Sequence, residues 1–429
     1  MRRLLASALL FVVALPGHAG STGVRVPEVA PAARTVAWSG TATLPHEQGE
    51  SLSHSNDPPA TDSVWVFTNR ARQDGRWRTM RGEVRRLVRA FRVAPIRRDP
   101  VPYEVRMQVQ RAGEQWLDTA AMRTAVSSAL AQQPAAALVL HVHGYATSLD
   151  EATEEAAEMR RRGGFGGPMA VFAWPARNIG VTWPAAGKVF TSAYWQDSLL
   201  AQQSVDDFVD VLHEVIAMAG ADRVVVSAHS MGNQLLATAL QRPHVQAALQ
   251  RTPLRAIVFA SPDVDHDWFH GTVVPAARPL AERLVLYGAR DDHMLRISSL
   301  VHGGAPRAGL LDEDNWPDTP GLEVVDITDG RVAAPWFGSL FDTNHALRRH
   351  GTALADLFGH VAADAPASAR CEIGVVPVES PDEVRQTSAG PSAAPAATNA
   401  AVRQWRAVSR RAPGALCAGV DEPSLSAAR

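Results

Sequence analysis

Ser230 stands between His229 and Met231, with Ala228 two residues before it and Gly232 two residues after. Upstream is the apolar run Val224-Val225-Val226, and downstream an apolar, helix-forming run to Leu240. Small residues at this spacing, where a buried strand gives way to a helix, suit a cramped turn that lifts a hydroxyl above a sheet as a nucleophile. Ala228 meets the steric need almost as well as glycine would, and Gly232 meets it fully. The same turn sets the backbone N–H of Met231 at a helix N-terminus, where it can hold a developing oxyanion. The five-residue pattern alone recurs by chance in a chain of this size. The strand–turn–helix context gives it weight, against the alternative of an ordinary structural turn.

The elements that must hold such a site follow from hydrophobic periodicity. Strands are expected at 63–72, 102–110, 135–144, 168–174, 222–228, 255–263 and 283–292, with a short one at 322–328. Residues 83–91 are ambiguous. Helices are expected at 118–133, 148–162, 196–218, 231–240 and 344–361. The second of these has Ser148 as N-cap, Glu151 three residues on, and arginines in its last turn, a capping box with charges matched to the helix dipole. Strands alternating with helices predict an α/β fold, with a mostly parallel central sheet covered by helices on both faces. Ligands of such sheets bind at the carboxyl ends of the strands.

The chain has 429 residues, 46% hydrophobic and 20% charged, with a formal net charge of −2. This is the composition of a globular protein with a large core, and the charge gives no reason to expect a nucleic-acid partner. Arg2 and Arg3, an apolar run from Leu4 to Leu15, and small residues at Gly17 and Ala19 predict a secretory signal peptide over residues 1–19. The alternative is an uncleaved anchor. The protein is therefore expected to be exported, periplasmic or secreted, with no stable membrane span after signal cleavage. Residues 20–60 read as a flexible leader, 61–365 as the folded domain, and 366–429 as a loosely ordered Ala/Pro-rich tail. Cys371 and Cys417 both lie in that tail, and an oxidising compartment favours one disulfide between them over two free thiols.

Eight stretches carry a family likeness: "VWVFTNR", "HVHGYATSLDEA", "VFAWPA", "YWQDS", "SAHSMGNQLL", "VFASPDVDHDWF", "LYGARDDHMLRISSLVHGGAPRAG" and "NHAL". They run in order from about residue 64 to 360. On them the chain resembles the α/β-hydrolase superfamily, and more narrowly a bacterial family of exported or uncharacterised α/β-hydrolases of unknown function. The resemblance implies the α/β-hydrolase fold, acyl-transfer chemistry, and the chain order nucleophile, acid, histidine. It points to Asp292, after the second strand beyond the serine, as the acid that orients the histidine, with Asp291 as the neighbouring alternative and Asp263 a remote one. It points to His345 as general base. The second oxyanion donor belongs on the loop after the strand at 135–144, where Gly144 allows close approach and Tyr145 offers its N–H. His143 is expected to order that loop, and His229 to pack or to bond a neighbouring loop.

The run from Asp263 to His270, with Asp265, His266 and Asp267 between, raises a divalent cation as one reading. Capping of the next helix is the preferred one, since no known oxygen-ligand spacing is matched. No metal or cofactor is expected. Residues 174–195 read as a long loop at the strand ends, a lid or pocket wall whose aromatics (Trp174, Trp183, Phe190, Tyr194, Trp195) either line an apolar acyl or aryl pocket or anchor the loop. Trp268, Phe269 and Trp316 are candidates for the same rim. The main reading is a serine hydrolase acting on a small-molecule or lipid-like acyl substrate, with esters preferred, through Ser230, His345 and Asp292, with Met231 and Tyr145 amides as oxyanion hole. The alternatives are a catalytically quiet binding module of the cell envelope on the same fold, and a metal-dependent hydrolase built on the 263–270 cluster. Oligomeric state is not legible in the sequence.

Overall fold

Aliphatic runs decide the centre of the molecule. In a computed structural model, which describes residues 61–95, 107–133, 136–177, 186–311, 319–329, 344–365, 370, 375–377 and 404–407, these runs become the strands of one sheet. The strands are β1 (Thr61–Gln73), β2 (Arg76–Pro95), β3 (Met107–Leu117), β4 (Leu138–Val142), β5 (Met169–Ala173), β6 (Val224–His229), β7 (Leu254–Ala260), β8 (Ala281–Gly288), β9 (Leu322–Asp326), β10 (Val375–Pro377) and β11 (Gln404–Ala407). Their order across the sheet is β10-β11-β9-β8-β7-β6-β4-β5-β1-β2-β3. From β11 to β1 every neighbouring pair is parallel, and the pairs at the two edges are antiparallel.

Both faces of the central strands are buried. Leu138, Leu140, Val142, Val224 and Val226 pack with helices α1 (Thr119–Gln132), α3 (Ala186–Gln203), α4 (Val205–Ala219), α5 (Gly232–Leu240) and α6 (Pro243–Leu249). Val139, Val171, Val225 and Val258 pack on the other face with α2 (Leu149–Arg162) and the helical segment from Gly351 to Val361. Each large aliphatic side chain so buried contributes roughly 1.5–3 kcal/mol. The capping box of α2 is formed: Glu151 N donates to Ser148 Oγ, and Ser148 N donates to the Glu151 carboxylate.

Four expectations need correction. The ambiguous residues 83–91 lie inside the 20-residue β2, paired to β1 through a hairpin whose Asp74 and Gly75 both have positive φ, as a two-residue hairpin turn demands. The strand expected at 102–110 runs on to Leu117 as β3. The helix expected at 196–218 begins ten residues earlier and is interrupted at Ser204, giving α3 and α4. Tyr194 and Trp195 therefore stand on a helix, not in a long loop.

The fourth correction concerns the C-terminal stretch. Residues 375–377 and 404–407 are strands of the main sheet, and β11 lies parallel to β9. Arg370 is buried between Asp356 and Glu323, with its guanidinium over the Trp405 ring at 4.7 Å. The readings of residues 1–60, Trp183, Trp316, Cys371 and Cys417 lie outside the described residues, as does the Phe190 side chain. Among the described residues no helix is long and apolar enough to cross a membrane.

Candidate active site

β6 ends at His229, and Ser230 follows with φ +52, a left-handed conformation that a side chain rarely adopts. The bend is held from several sides. Ser230 N donates to Ala260 O at 3.0 Å, and the Asn233 side-chain amide donates to the carbonyls of Ala228, Ser230 and Ala260. Gly232 is required on steric grounds: a Cβ there would lie 2.5 Å from His143 O and 2.8 Å from Val142 O, both backbone atoms. Strain of this kind persists only where its surroundings over-determine it.

His345, in the segment before the helix Gly351–Asp356, bonds the serine. Its Nε2 is 2.9 Å from Ser230 Oγ, and its Nδ1 is 2.8 Å from Asp292 Oδ2. Asp292 follows β8 and caps the helix His293–Val301, accepting from Leu295 N through its other oxygen. That second bond fixes the carboxylate's orientation. Asp291 turns away and accepts from the side chain of Asn344, at 2.6 Å, which steadies the residue before the histidine. Asp263 is not near the imidazole nitrogens by hydrogen bond; it is a buried carboxylate taken up by Arg307 Nε (2.8 Å), Tyr194 OH (2.7 Å) and Ser298 Oγ. Burial alone would lower the His345 pKa, but the charge and hydrogen bond of Asp292 outweigh it and hold the imidazole above its ordinary 6.5. With its Nδ1–H donating to Asp292 in that hydrogen bond, the ring presents a lone pair at Nε2 to the Ser230 hydroxyl.

His229 makes a bond to the loop of the base. Its Nε2 lies 2.7 Å from His345 O, and burial beside His345 presses its pKa down to about 4, so the neutral ring donates there. His143 is also neutral, pushed by burial to about 3, and stacks on Trp174 at 5.0 Å while Trp174 Nε1 donates to His143 O.

The loop after β4 comes very close to the serine. A Cβ on Gly144 would lie 3.0 Å from Ser230 Cβ. Ala146 has φ +53, and its N–H donates to Asp197 Oδ2 at 3.0 Å, while Arg177 N donates to Asp197 Oδ1 at 2.8 Å. Burial raises the Asp197 carboxyl to about 6. Arg70, itself buried, donates to Thr147 O and Ala176 O. Asp197 and Arg70 thus clamp the turn that carries Tyr145. Sequence reasoning assigned neither a role; Asp197 was visible only inside the quoted "YWQDS" stretch, since a lone helical aspartate carries no signal of a loop fifty residues away.

Ser230 and His345 open into a cavity of about 430 Å³, within the range that accepts a small organic ligand. Gly144, Tyr145, Tyr194, Met294, Leu295 and Ala346 are among its walls. Met231 is not: its side chain is buried in the core, and only its main chain stands at the start of α5. Of the expected aromatic wall, Tyr194 lines the cavity. Trp174 anchors the loop through His143, Phe269 packs edge-on against Phe259 in the core, and Trp195 is exposed against His302. The 263–270 run is occupied by local structure. Asp265 caps the helix His266–Trp268, His266 pairs with Asp267, and His270 bonds Thr319. Among the described residues no group of three or more His, Cys, Asp or Glu is disposed to hold a metal ion.

Similarity to known proteins agrees with this architecture. A search of curated proteins finds no match. Solved structures similar to the chain include an esterase from Pyrobaculum calidifontis, at 13% identity over 73% of this chain and 88% of that one with a TM-score of 0.31. An arylesterase matches at 12% identity over 70% and 87% with a TM-score of 0.27. At these values neither bears on substrate or mechanism. A family model described as alpha/beta hydrolase of unknown function (DUF900) matches residues 118–335, a span that contains Ser230 and Asp292 and stops short of His345. That span is half of the chain, and with the parallel sheet and its flanking helices it establishes that the protein belongs to this α/β-hydrolase family of unknown function.

Proposed function

We propose that the protein is a serine hydrolase that cleaves carboxylic esters, or closely related acyl compounds, through an acyl-enzyme on Ser230. The observation that carries this reading is the unbroken line of hydrogen bonds from Ser230 Oγ through His345 to Asp292. Ser230 Oγ attacks the acyl carbon as His345 Nε2 takes its proton, and the carbonyl electrons move onto oxygen. The N–H groups of Met231 and Tyr145 receive that oxyanion. Collapse of the tetrahedral species breaks the bond to the alcohol, which leaves with the proton from His345. Water, deprotonated by the same nitrogen, then attacks the acyl-enzyme and releases the acid and free Ser230. Asp292 keeps the Nδ1 proton in place and stabilises the imidazolium throughout. No cofactor enters this sequence.

A panel of p-nitrophenyl esters of increasing acyl length tests the reading. Hydrolysis that disappears in Ser230→Ala, in a protein with an unchanged melting curve, is the expected result. A folded protein inactive on the whole panel favours the quiet binding module instead. The arginine-flanked apolar run at residues 2–15 supports export, which N-terminal sequencing of the mature protein tests.

A further inference from the structure

Glu151, Glu154, Glu155 and Glu158 recur at the spacing that places side chains on one face of α2. All four line a second cavity of about 400 Å³, and among the described residues Arg348 is its one lining cation. Ala146, Thr147, Glu155 and Arg348 are common to this cavity and to the one at Ser230, so the two adjoin. Two of the glutamates are occupied. Glu151 closes the capping box, and Glu158 is bonded by Arg162 at 2.7 Å with Arg348 at 3.8 Å.

Glu155 differs from these. It is only 6% exposed and lines both cavities, yet among the described residues no hydrogen bond or close ion pair reaches its carboxylate. Burial acts to raise its pKa, but the Arg348 guanidinium acts through space to hold it below the ordinary carboxylate value, so it is charged near neutrality. The nearby His141, His143 and His229 add no positive charge near neutrality, since each has its own pKa lowered by burial. A charged carboxylate that lines two cavities and has no hydrogen-bond donor among the described residues is placed to receive a cation from a ligand. No convergent set of metal ligands exists among the described residues, so the cavity suits a larger, diffuse cation better than a metal ion.

We propose that the second cavity is a subsite for an organic ammonium group of the substrate, with Glu155 as its counter-ion beside the acyl-transfer site. The inference rests on the hydrolase reading of Ser230 and narrows its substrates to esters that carry a cationic group.

Acetylthiocholine and S-(3,3-dimethylbutyl) thioacetate differ only in a quaternary nitrogen replaced by carbon, and the ratio of their kcat/KM values reads the subsite. The unaltered chain is expected to favour the cationic ester at least ten-fold, about 1.4 kcal/mol, chiefly through KM and less so at high salt. Glu155→Gln should bring the ratio to near one. Equal values in the unaltered chain, or a ratio that Glu155→Gln leaves untouched, overturn the proposal. The comparison on the unaltered chain needs no variant, so it decides even where Glu155→Gln does not fold. Calorimetric titration of Ser230→Ala with choline reads binding without turnover. Saturable binding that weakens ten-fold on adding Glu155→Gln supports the subsite, and its absence removes the subsite even if esters are hydrolysed at Ser230. Binding with no Ser230-dependent hydrolysis of either ester leaves the subsite and removes the hydrolase.

Discussion

Gly144→Ala is the perturbation most directly set by the geometry beside the nucleophile. Its Cβ would sit 3.0 Å from Ser230 Cβ, 3.2 Å from His229 Nδ1 and 3.3 Å from His229 O. Carbon atoms in ordinary contact stand roughly 3.5–4.0 Å apart. The loop that carries Tyr145 and the turn that carries Ser230 must therefore separate by about half an ångström or more. Neither neighbour is a flexible side-chain end, because Ser230 is fixed at a positive φ and His229 is bonded to His345 O. A misplacement of about 1 Å at reacting groups costs on the order of 100-fold, so about half that displacement should lower kcat roughly ten-fold, about 1.4 kcal/mol in the barrier. The same overpacking removes about 1–3 kcal/mol of fold stability, which leaves a folded protein to assay. Initial rates on a p-nitrophenyl ester, normalised to the fraction folded in a urea melt, give the measurement. A kcat within two-fold of the unaltered chain would refute the claim that this loop forms part of the catalytic geometry.

Asp292→Asn retains an oxygen for the Leu295 N–H but presents an amide to His345 Nδ1, forcing the wrong tautomer, so kcat should fall about 10⁴-fold; Asp291→Asn should lose less than ten-fold, and equal losses would contradict the assignment. Because Asp292 raises the His345 pKa and the neutral imidazole is the active base, kcat/KM should fall as pH drops through a value above 6.5, measured as the acid limb of the rate profile. Asp197→Ala strips the acceptors from Ala146 N and Arg177 N, and two lost bonds to a charged group should cost about 3–5 kcal/mol in denaturant stability. Glu323, which burial would raise, is held down to about 2 by Arg370 and Arg283. A depressed carboxylate contributes stability above its unfolded value of 4.5 that is lost as pH falls towards 2; Glu323→Gln should therefore reduce the stability lost between pH 5 and pH 3 by about 2 kcal/mol.

Much of this architecture was legible in the sequence because it rests on local signals. Val224-Val225-Val226 announces a strand buried on both faces, Ser148 with Glu151 announces a helix start, and Ala228-x-Ser230-x-Gly232 announces the bend between strand and helix. The resemblance to the α/β-hydrolase superfamily pointed to Asp292 and His345, and these stand in hydrogen-bond contact along a line that ends at Ser230. What failed was set by distant partners. The arginines of β2 hide its alternation, since Arg86 is met by Glu214 of α4 and Arg89 by Glu114 of β3. The short strand at 404–407 pairs with the edge that β9 offers, and 375–377 pairs in turn with 404–407; a Val-Val-Pro or Gln-Trp-Arg-Ala stretch carries too little pattern to reveal it. Asp197 and Glu155 owe their surroundings to loops and cavities that no spacing along the chain encodes.

The central claim is that the Ser230 hydroxyl is activated. A fluorophosphonate probe followed by peptide mapping tests it most directly. The account predicts one modified peptide, bearing the adduct on Ser230, with labelling lost in Ser230→Ala and strongly slowed in His345→Ala. Unmodified Ser230 in a folded chain, or labelling that persists in both variants, would contradict it.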